Sequence, residues 1–354
     1  MIPIAKPQIG DEEKAAVSKV LDSGMIASGP KTEEFEKKFS EYIGVKYAIA
    51  TTSGTTALHI GLLSLGVNEG DEVILPDFSF IATANSPLFC QARPVFCDVD
   101  TKTFNIDPEK IQKLITKNTK AIMPVHLYGQ PADMKRILEI SEEHDIKIIG
   151  DACQAHGAEY NGKMIGSFGD LECFSFYPTK NMTSSEGGMI TTNNEEIAEK
   201  ARSLRNHGRE KTKWGYEHGF LGYNFRMTDI AAAIGIEQLK KLPKFNEIRR
   251  RNAKYLNENL KEVEVPYVMP NAVHAYHQYT IKCKDRDAII QNLKKNDIGF
   301  GIYYPQPLHT YKHLKKFAHK ILKNSETLSN QVLSLPVHPS LSRTDLEKMS
   351  AVFS

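Results

Sequence analysis

The feature that most constrains this chain is an alternation, from about residue 45 to 195, of short apolar runs with longer amphipathic ones. Lys46 to Thr51 (KYAIAT), Glu72 to Leu75 (EVIL), Pro94 to Asp98 (PVFCD), Ala121 to Val125 (AIMPV) and Lys147 to Gly150 (KIIG) read as strands. Phe174 to Phe176 and Met189 to Thr192 add two more. Ala57 to Leu65, Phe78 to Cys90 and Asp133 to Glu143 read as helices between them. Another helix opens at Asp107-Pro108-Glu109, with the proline one place inside the cap. Continuous apolar strands separated by helices predict an α/β fold whose mostly parallel sheet is covered on both faces.

Beyond residue 200 the pattern changes. Leu239 to Val263 reads as a long charged helix containing Arg249-Arg250-Arg251, a solvated connector. His277 to Lys282 and Phe300 to Tyr303 follow as strands, with helices at Asp287 to Lys295 and Asp345 to Phe353. These predict a large domain over 21–243 and a small C-terminal α+β domain over 244–354. Residues 1–20 are expected to form an N-terminal segment packing with the small domain.

Charge narrows the partners. The 45 basic and 43 acidic side chains give a formal charge of +2 over 354 residues, so no broad field favours nucleic acid or an anionic membrane. The five cysteines, Cys90, Cys97, Cys153, Cys173 and Cys283, are odd in number and lack C-x-x-C spacing. Neither a disulfide framework nor a zinc site is expected, and no other metal. No signal-peptide pattern and no apolar run of about 20 residues stands out. The expectation is a soluble, cytoplasmic protein.

Three segments carry candidate chemistry. Thr52-Ser53-Gly54-Thr55-Thr56-Ala57 lies between a strand and a helix, where small residues and free N–H groups can hold a phosphate. The same residues would also serve as a simple helix cap. Asp151, in Gly150-Asp151-Ala152-Cys153-Gln154-Ala155-His156-Gly157, follows a buried strand at the carboxyl edge of the sheet, where α/β proteins place ligands. A buried carboxylate there requires a cation or several donors, unless it caps the next helix. His156 reads as a hydrogen-bonded structural residue. In Phe174-Ser175-Phe176-Tyr177-Pro178-Thr179-Lys180-Asn181, a strand ends at a proline and presents a lysine. Desolvation lowers an amine's pKa and suits it to attack an aldehyde. Each segment alone is a weak signal. Together they supply the anchor, acid and amine that a pyridoxal phosphate site requires.

The runs SGTTAL, GDACQAHGA, FSFYPTKN, EGGMI, LGYNFRM and YYPQPLH resemble those of the DegT/DnrJ/EryC1/StrS family of sugar-nucleotide aminotransferases. The likeness extends from IAKPQIG near the start to LSLPVHP near the end. It implies the fold type I architecture of pyridoxal-phosphate-dependent transferases, with a seven-stranded type of sheet. By the same resemblance Lys180 is the Schiff-base lysine, Asp151 pairs with the cofactor's pyridinium nitrogen, and Gln154 lies against it. Phe80 stacks on the ring, while Gly54, Thr55, Thr56 and Ser175 hold the phosphate. Asn224 and Arg226 reach the neighbouring subunit's site in a homodimer with shared active sites. Tyr304 and His309 line the substrate cleft, which Met25 to Pro30 edges. Arg209 reads either as a diphosphate contact or as solvated surface.

The implied reaction carries an amino group from L-glutamate to a nucleotide-linked ketosugar, with pyridoxamine 5'-phosphate as the intermediate form of pyridoxal 5'-phosphate. Thr183 to Gly188 resemble enzymes that aminate C4 of a 4-keto-6-deoxy sugar, whereas YYPQPLH resembles those acting at C3 of a 3-keto sugar. The first is favoured because it adjoins Lys180. Three other readings compete. A sugar dehydratase of the same kind carries His where this chain has Lys180. A non-catalytic, cofactor-binding regulatory homologue would not need Asp151, Gln154 and Lys180 together. A nicotinamide oxidoreductase would show a Gly-rich fingerprint, which is missing here.

Overall fold

The computed structural model describes residues 1–353. Its centre is a sheet of seven strands built from β1 (Tyr47–Thr51), β2 (Glu72–Pro76), β3 (Arg93–Cys97), β4 (Thr119–Ile122), β5 (Lys147–Asp151), β8 (Leu171–Ser175) and β9 (Gly188–Thr192). The strand order is β1-β9-β8-β5-β4-β2-β3. Every pairing is parallel except the two made by β9, which runs against both β1 and β8. The short strands β6 (Glu159–Tyr160) and β7 (Lys163–Met164) form a side ribbon with β12 (Ala272–Val273).

Helices cover both faces, as strands without a polar side require. On one face pack α2 (Pro30–Ile43), α6 (Met134–His144) and the first half of α8 (Asp229–Asn259). There Phe35, Phe39, Ile137 and Ile236 meet Ile74, Ile148 and Phe174 of the sheet. On the other face lie α3 (Gly54–Ser64), α4 (Ile81–Phe89) and α7 (Glu195–Leu204), whose Leu58, Ala84 and Ala198 meet Leu75, Ile149 and Ile190. Side-chain caps fix where helices begin: Ser53 for α3, Asp133 for α6, Asn194 for α7 and Thr228 for α8.

A separate apolar cluster gathers Ala253 and Leu256 of α8 with β13 (Tyr279–Lys282), α9 (Arg286–Lys295), β14 (Val332–Leu335) and α11 (Arg343–Ser350). Between α9 and β14 lies α10 (Lys323–Gln331). The start of the chain divides its contacts. Ile2 bridges Ile298 beside this cluster, whereas α1 (Asp11–Ser23) lies on the first half of α8 through Gln238 and Lys241. Among the described residues no helix is long and apolar enough to cross a membrane.

Several boundaries differ from the sequence reading. α8 starts ten residues before Leu239, where the Thr228 side chain accepts from Ala231 N at 3.2 Å. It is also no solvated connector: Asn246, Arg249, Asn252 and Leu256 are buried along one stripe. β8 begins at Leu171 because Glu172, the acid that breaks the apolar pattern, is itself buried against His126, 3.2 Å away. Phe300 to Tyr303 forms no strand, only an isolated bridge from Gly301 to Ser334. The exposed hairpin of β10 (Arg209–Thr212) and β11 (Gly215–His218), α1 and α2 had no counterpart in the reading.

Candidate active site

The carboxyl ends of β5 and β8 and the start of α3 open onto a cavity of about 540 Å³, a size typical of small-molecule sites. Its wall includes Gly54, Thr55, Phe80, Asp151, Gln154, Ser175, Lys180 and Tyr304. The three segments singled out in the sequence thus meet in one place. They meet because α3 and the Asp151 and Lys180 loops all leave the same edge of the sheet.

Asp151 is the last residue of β5 and is 6% exposed. Its Oδ2 accepts from the Thr83 hydroxyl at 2.8 Å, which in turn meets the Ser79 hydroxyl at 2.8 Å. Its Oδ1 accepts from Cys153 N at 3.2 Å. No lysine or arginine lies within ion-pair distance of it among the described residues. Those donors are few for a buried carboxylate, so the site is suited to a cationic ligand group. Lys180 has no carboxylate within ion-pair distance either, and burial pulls its amine below the usual lysine value.

Gly54 is required by its neighbours. A Cβ there would stand 2.7 Å from Ser175 Cβ and 2.8 Å from Cys153 Sγ. The close approach brings the N-terminal turn of α3 against the end of β8, leaving its first N–H groups beside the cavity. Thr56 differs from Gly54 and Thr55. It does not line the cavity, and its hydroxyl accepts from Ser53 N at 3.0 Å and donates to Ser53 O at 2.9 Å, closing the cap.

Gln154 is held from both ends: Oε1 accepts from Tyr128 N at 2.8 Å and Nε2 donates to the Tyr304 hydroxyl at 3.0 Å. Phe80, 53% exposed at the start of α4, faces the cavity with its ring 6.1 Å from that of Tyr304. His309 stands apart from the wall. It is buried, with Nδ1 2.6 Å from Asp77 Oδ2 and its backbone N donating to Asp77 Oδ1 at 2.8 Å. The Asp77 hydrogen bond lifts its pKa above the ordinary histidine value.

Asn224 and Arg226 also lie outside this cavity. Asn224 is exposed and bridges Asn206, and Arg226 donates to Asn206 Oδ1 at 2.8 Å. Arg226 and Arg209 both border a separate cleft of about 1010 Å³ at the β10–β11 hairpin, and Arg209 stacks on Tyr216 at 3.8 Å. At the start of α2, the cap residue's Gly29 N and the first-turn Lys31 N and Thr32 N all donate to the buried Asp229 carboxylate. His156 is buried against Phe174 and Phe176, and burial lowers its pKa to about 3.

The sequence reading missed Ser79, Thr83, Cys153, Tyr177, Glu186, His277 and Gln278 around this cavity. Cys153 sits inside a quoted motif and was within reach of the reading. His277 comes from the chain's last third, and only the fold brings it here. It is buried with Nδ1 lacking a protein partner. The amine, the carboxylate, the helix N-terminus and this free ring nitrogen make a wall that fits a phosphate-bearing aldehyde with a basic ring nitrogen.

The sequence profile of the DegT/DnrJ/EryC1/StrS aminotransferase family matches residues 7–353. GDP-perosamine synthase of Caulobacter vibrioides is 40% identical, over 99% of this chain and 96% of its own. UDP-N-acetyl-3-dehydro-alpha-D-glucosamine 3-aminotransferase of Acidithiobacillus ferrooxidans is 39% identical, over 97% and 93%. Among solved structures, DesV of S. venezuelae superposes with a TM-score of 0.93 at 35% identity, covering 97% of this chain and 93% of that one.

Proposed function

The chain belongs to the DegT/DnrJ/EryC1/StrS aminotransferase family and is a pyridoxal-phosphate-dependent aminotransferase; from that premise we propose that it moves an amino group from L-glutamate to C4 of a nucleotide-linked 4-keto-6-deoxy sugar. The observation that carries the reading is the shared cavity of Lys180 and Asp151 at the N-terminus of α3. The sugar-nucleotide class is supported by the Caulobacter and Acidithiobacillus relatives, both named for nucleotide-linked sugars. A second reading, amination at C3, is favoured by the Acidithiobacillus relative's name and by Tyr303 and Tyr304 in the cavity wall.

Pyridoxal phosphate, when bound, supplies an aldehyde carbon conjugated to an electron-accepting ring, which allows an amine to be exchanged between two carbonyl compounds. Lys180 would hold that carbon through its amine, with burial keeping more of the amine neutral than in a free lysine. Once released, the same Nζ is placed to take a proton from the substrate carbon and return it. Asp151, fixed by Thr83 and Cys153 N, would keep the ring nitrogen protonated. Gly54, Thr55, Thr56 and Ser175 would hold the phosphate, Thr56 by closing the cap that orients the helix. Phe80 would cover the ring, and Gln154 would lie against it.

Tyr304 would line the sugar cleft, with His309 bracing that loop through Asp77. Asn224 and Arg226, outside their own subunit's cavity, would complete the site of a second copy in a cytoplasmic homodimer. The start of the small domain is proposed at residue 244, inside α8.

The purified protein should be yellow, and L-glutamate should bleach the visible band. Colourless protein that takes up no pyridoxal phosphate would overturn the reading. A panel of 3-keto and 4-keto sugar nucleotides, read by mass spectrometry, separates the two carbons.

A further inference from the structure

A second, much smaller cavity of about 20 Å³ lies behind the Lys180 loop. It is bounded by the chain's first segment (Lys6 and Gln8 among it), by residues 178–181 and 183, and by Gln238, Phe245 and Arg249 of α8. Its lining contains the cationic side chains of Lys6 and Arg249, the loop that carries Lys180, and no acidic side chain.

Arg249 is the unusual member. It is 5% exposed, and no carboxylate lies within ion-pair distance of it among the described residues. Nη1 donates to the carbonyls of Tyr276 at 3.1 Å and His277 at 3.4 Å, while Nε has no protein partner. Burial brings its pKa down to about 10, which still leaves it charged at neutral pH. Two neutral carbonyls are weak compensation for a desolvated guanidinium, which ordinarily pairs with an anion. Nearby polar groups do not fill that role. Neither Asn181, whose Oδ1 is itself without a protein partner, nor Gln238, whose Oε1 accepts from Thr183 N at 3.4 Å, accepts a hydrogen bond from Arg249.

We propose that this cavity is a binding site for a small monovalent anion of the halide class, held by Arg249 with Lys6 and the Lys180 loop around it. Size sets the class. A water-sized body needs roughly 10–15 Å³ of such space, so about 20 Å³ admits a single chloride-sized ion and excludes a dicarboxylate such as the amino donor. The anion would neutralise Arg249 and join three segments: the extended stretch around Lys6 before α1, the lysine loop and α8. This cavity and the larger one lie on either side of Thr179 and Lys180, which line both, and its occupancy does not depend on the substrate assignment.

Bromide diffraction and melting measurements test it. Crystals of the holoenzyme soaked in bromide should show an anomalous peak within hydrogen-bond distance of the Arg249 guanidinium. Chloride about tenfold above its half-saturating concentration should raise Tm by about 2 °C relative to equal gluconate. Arg249→Met should lose that increment, and Arg249→Lys should keep it. A cavity holding only water, or an undiminished chloride response in Arg249→Met, would overturn the proposal. If Arg249→Met fails to fold, the bromide map alone decides, since it uses the unaltered protein.

Discussion

Asp151 shows what one residue's surroundings demand. A carboxylate at the end of a buried strand, with one hydroxyl and one amide as its donors, is suited to a ring cation. Asp151→Asn is therefore expected to keep the fold and lose roughly 10²–10⁴-fold in kcat, the equivalent of about 3–5 kcal/mol for breaking a buried ion pair. Circular dichroism and turnover measured on the same sample check this; near-normal turnover would refute the role. Lys180 gives a pH prediction. Its amine is pulled below the ordinary value of about 10.4, so cofactor capture by the apoprotein should rise with pH and reach half its limit below that value. The rate at which the visible band forms is the readout, and Lys180→Ala should show no such band. These two residues were legible in the sequence because Asp151 ends a strand and Lys180 lies on the loop that follows one. Thr83, 68 positions from Asp151, was not, because nothing local distinguishes it from other helix threonines.

At the scale of elements, α8 was the most misread. Its charge run suggested a solvated rod, yet Leu242, Asn246, Arg249, Ala253 and Leu256 are buried at alternating spacings of four and three. Three of those five are apolar, and the polar two break the stripe for anyone counting hydrophobic residues. The start of the helix was missed for a related reason. Asp229, which looks like an ordinary first-turn acid, is 1% exposed and binds the opposite helix. It accepts from Gly29 N, Lys31 N, Thr32 N and the Thr32 hydroxyl, and so caps α2 from across the chain. Asp229→Ala should cost about 2–3 kcal/mol, visible as a lower urea midpoint with an unchanged slope. A loss within error would show that the loop before α2 finds other partners.

For the whole molecule, one polar contact stands among the apolar ones, such as Leu308, Leu314 and Leu328, that join the chain's last third to the sheet region. Asp77, raised by burial, accepts two hydrogen bonds from His309, and His309 is raised in turn. The sign follows from linkage. A histidine with a raised folded pKa contributes its full stabilisation below the unfolded value of about 6.5 and loses it as pH rises through the folded value. The Tm difference between wild type and His309→Gln should therefore be largest near pH 6 and shrink toward alkaline pH. The proposed dimer belongs to this scale too. Mixing Lys180→Ala subunits with Arg226→Ala subunits should restore part of the activity if each site borrows from its neighbour, and none if sites are self-contained. The alternation over 45–195 made the parallel sheet readable, since strand and helix each declare their own period. The reversed strand β9 was not readable, because direction leaves no mark on composition.

That reversal also sets the order of events in synthesis. β1 precedes α3 and the turn around Gly54, but its only sheet neighbour is β9, about 140 residues later. At translation speeds of roughly 5–20 residues per second, β1 waits about 7–28 s without a partner while the rest of the sheet emerges. Only when Gly188 packs against the Ser53 carbonyl, where no larger residue would fit, does the helix end beside the cavity become fixed. The Gly54 end of the cavity, though encoded early, is thus assembled late, and a nascent chain halted before residue 188 would carry the lysine loop with the turn that faces it not yet fixed.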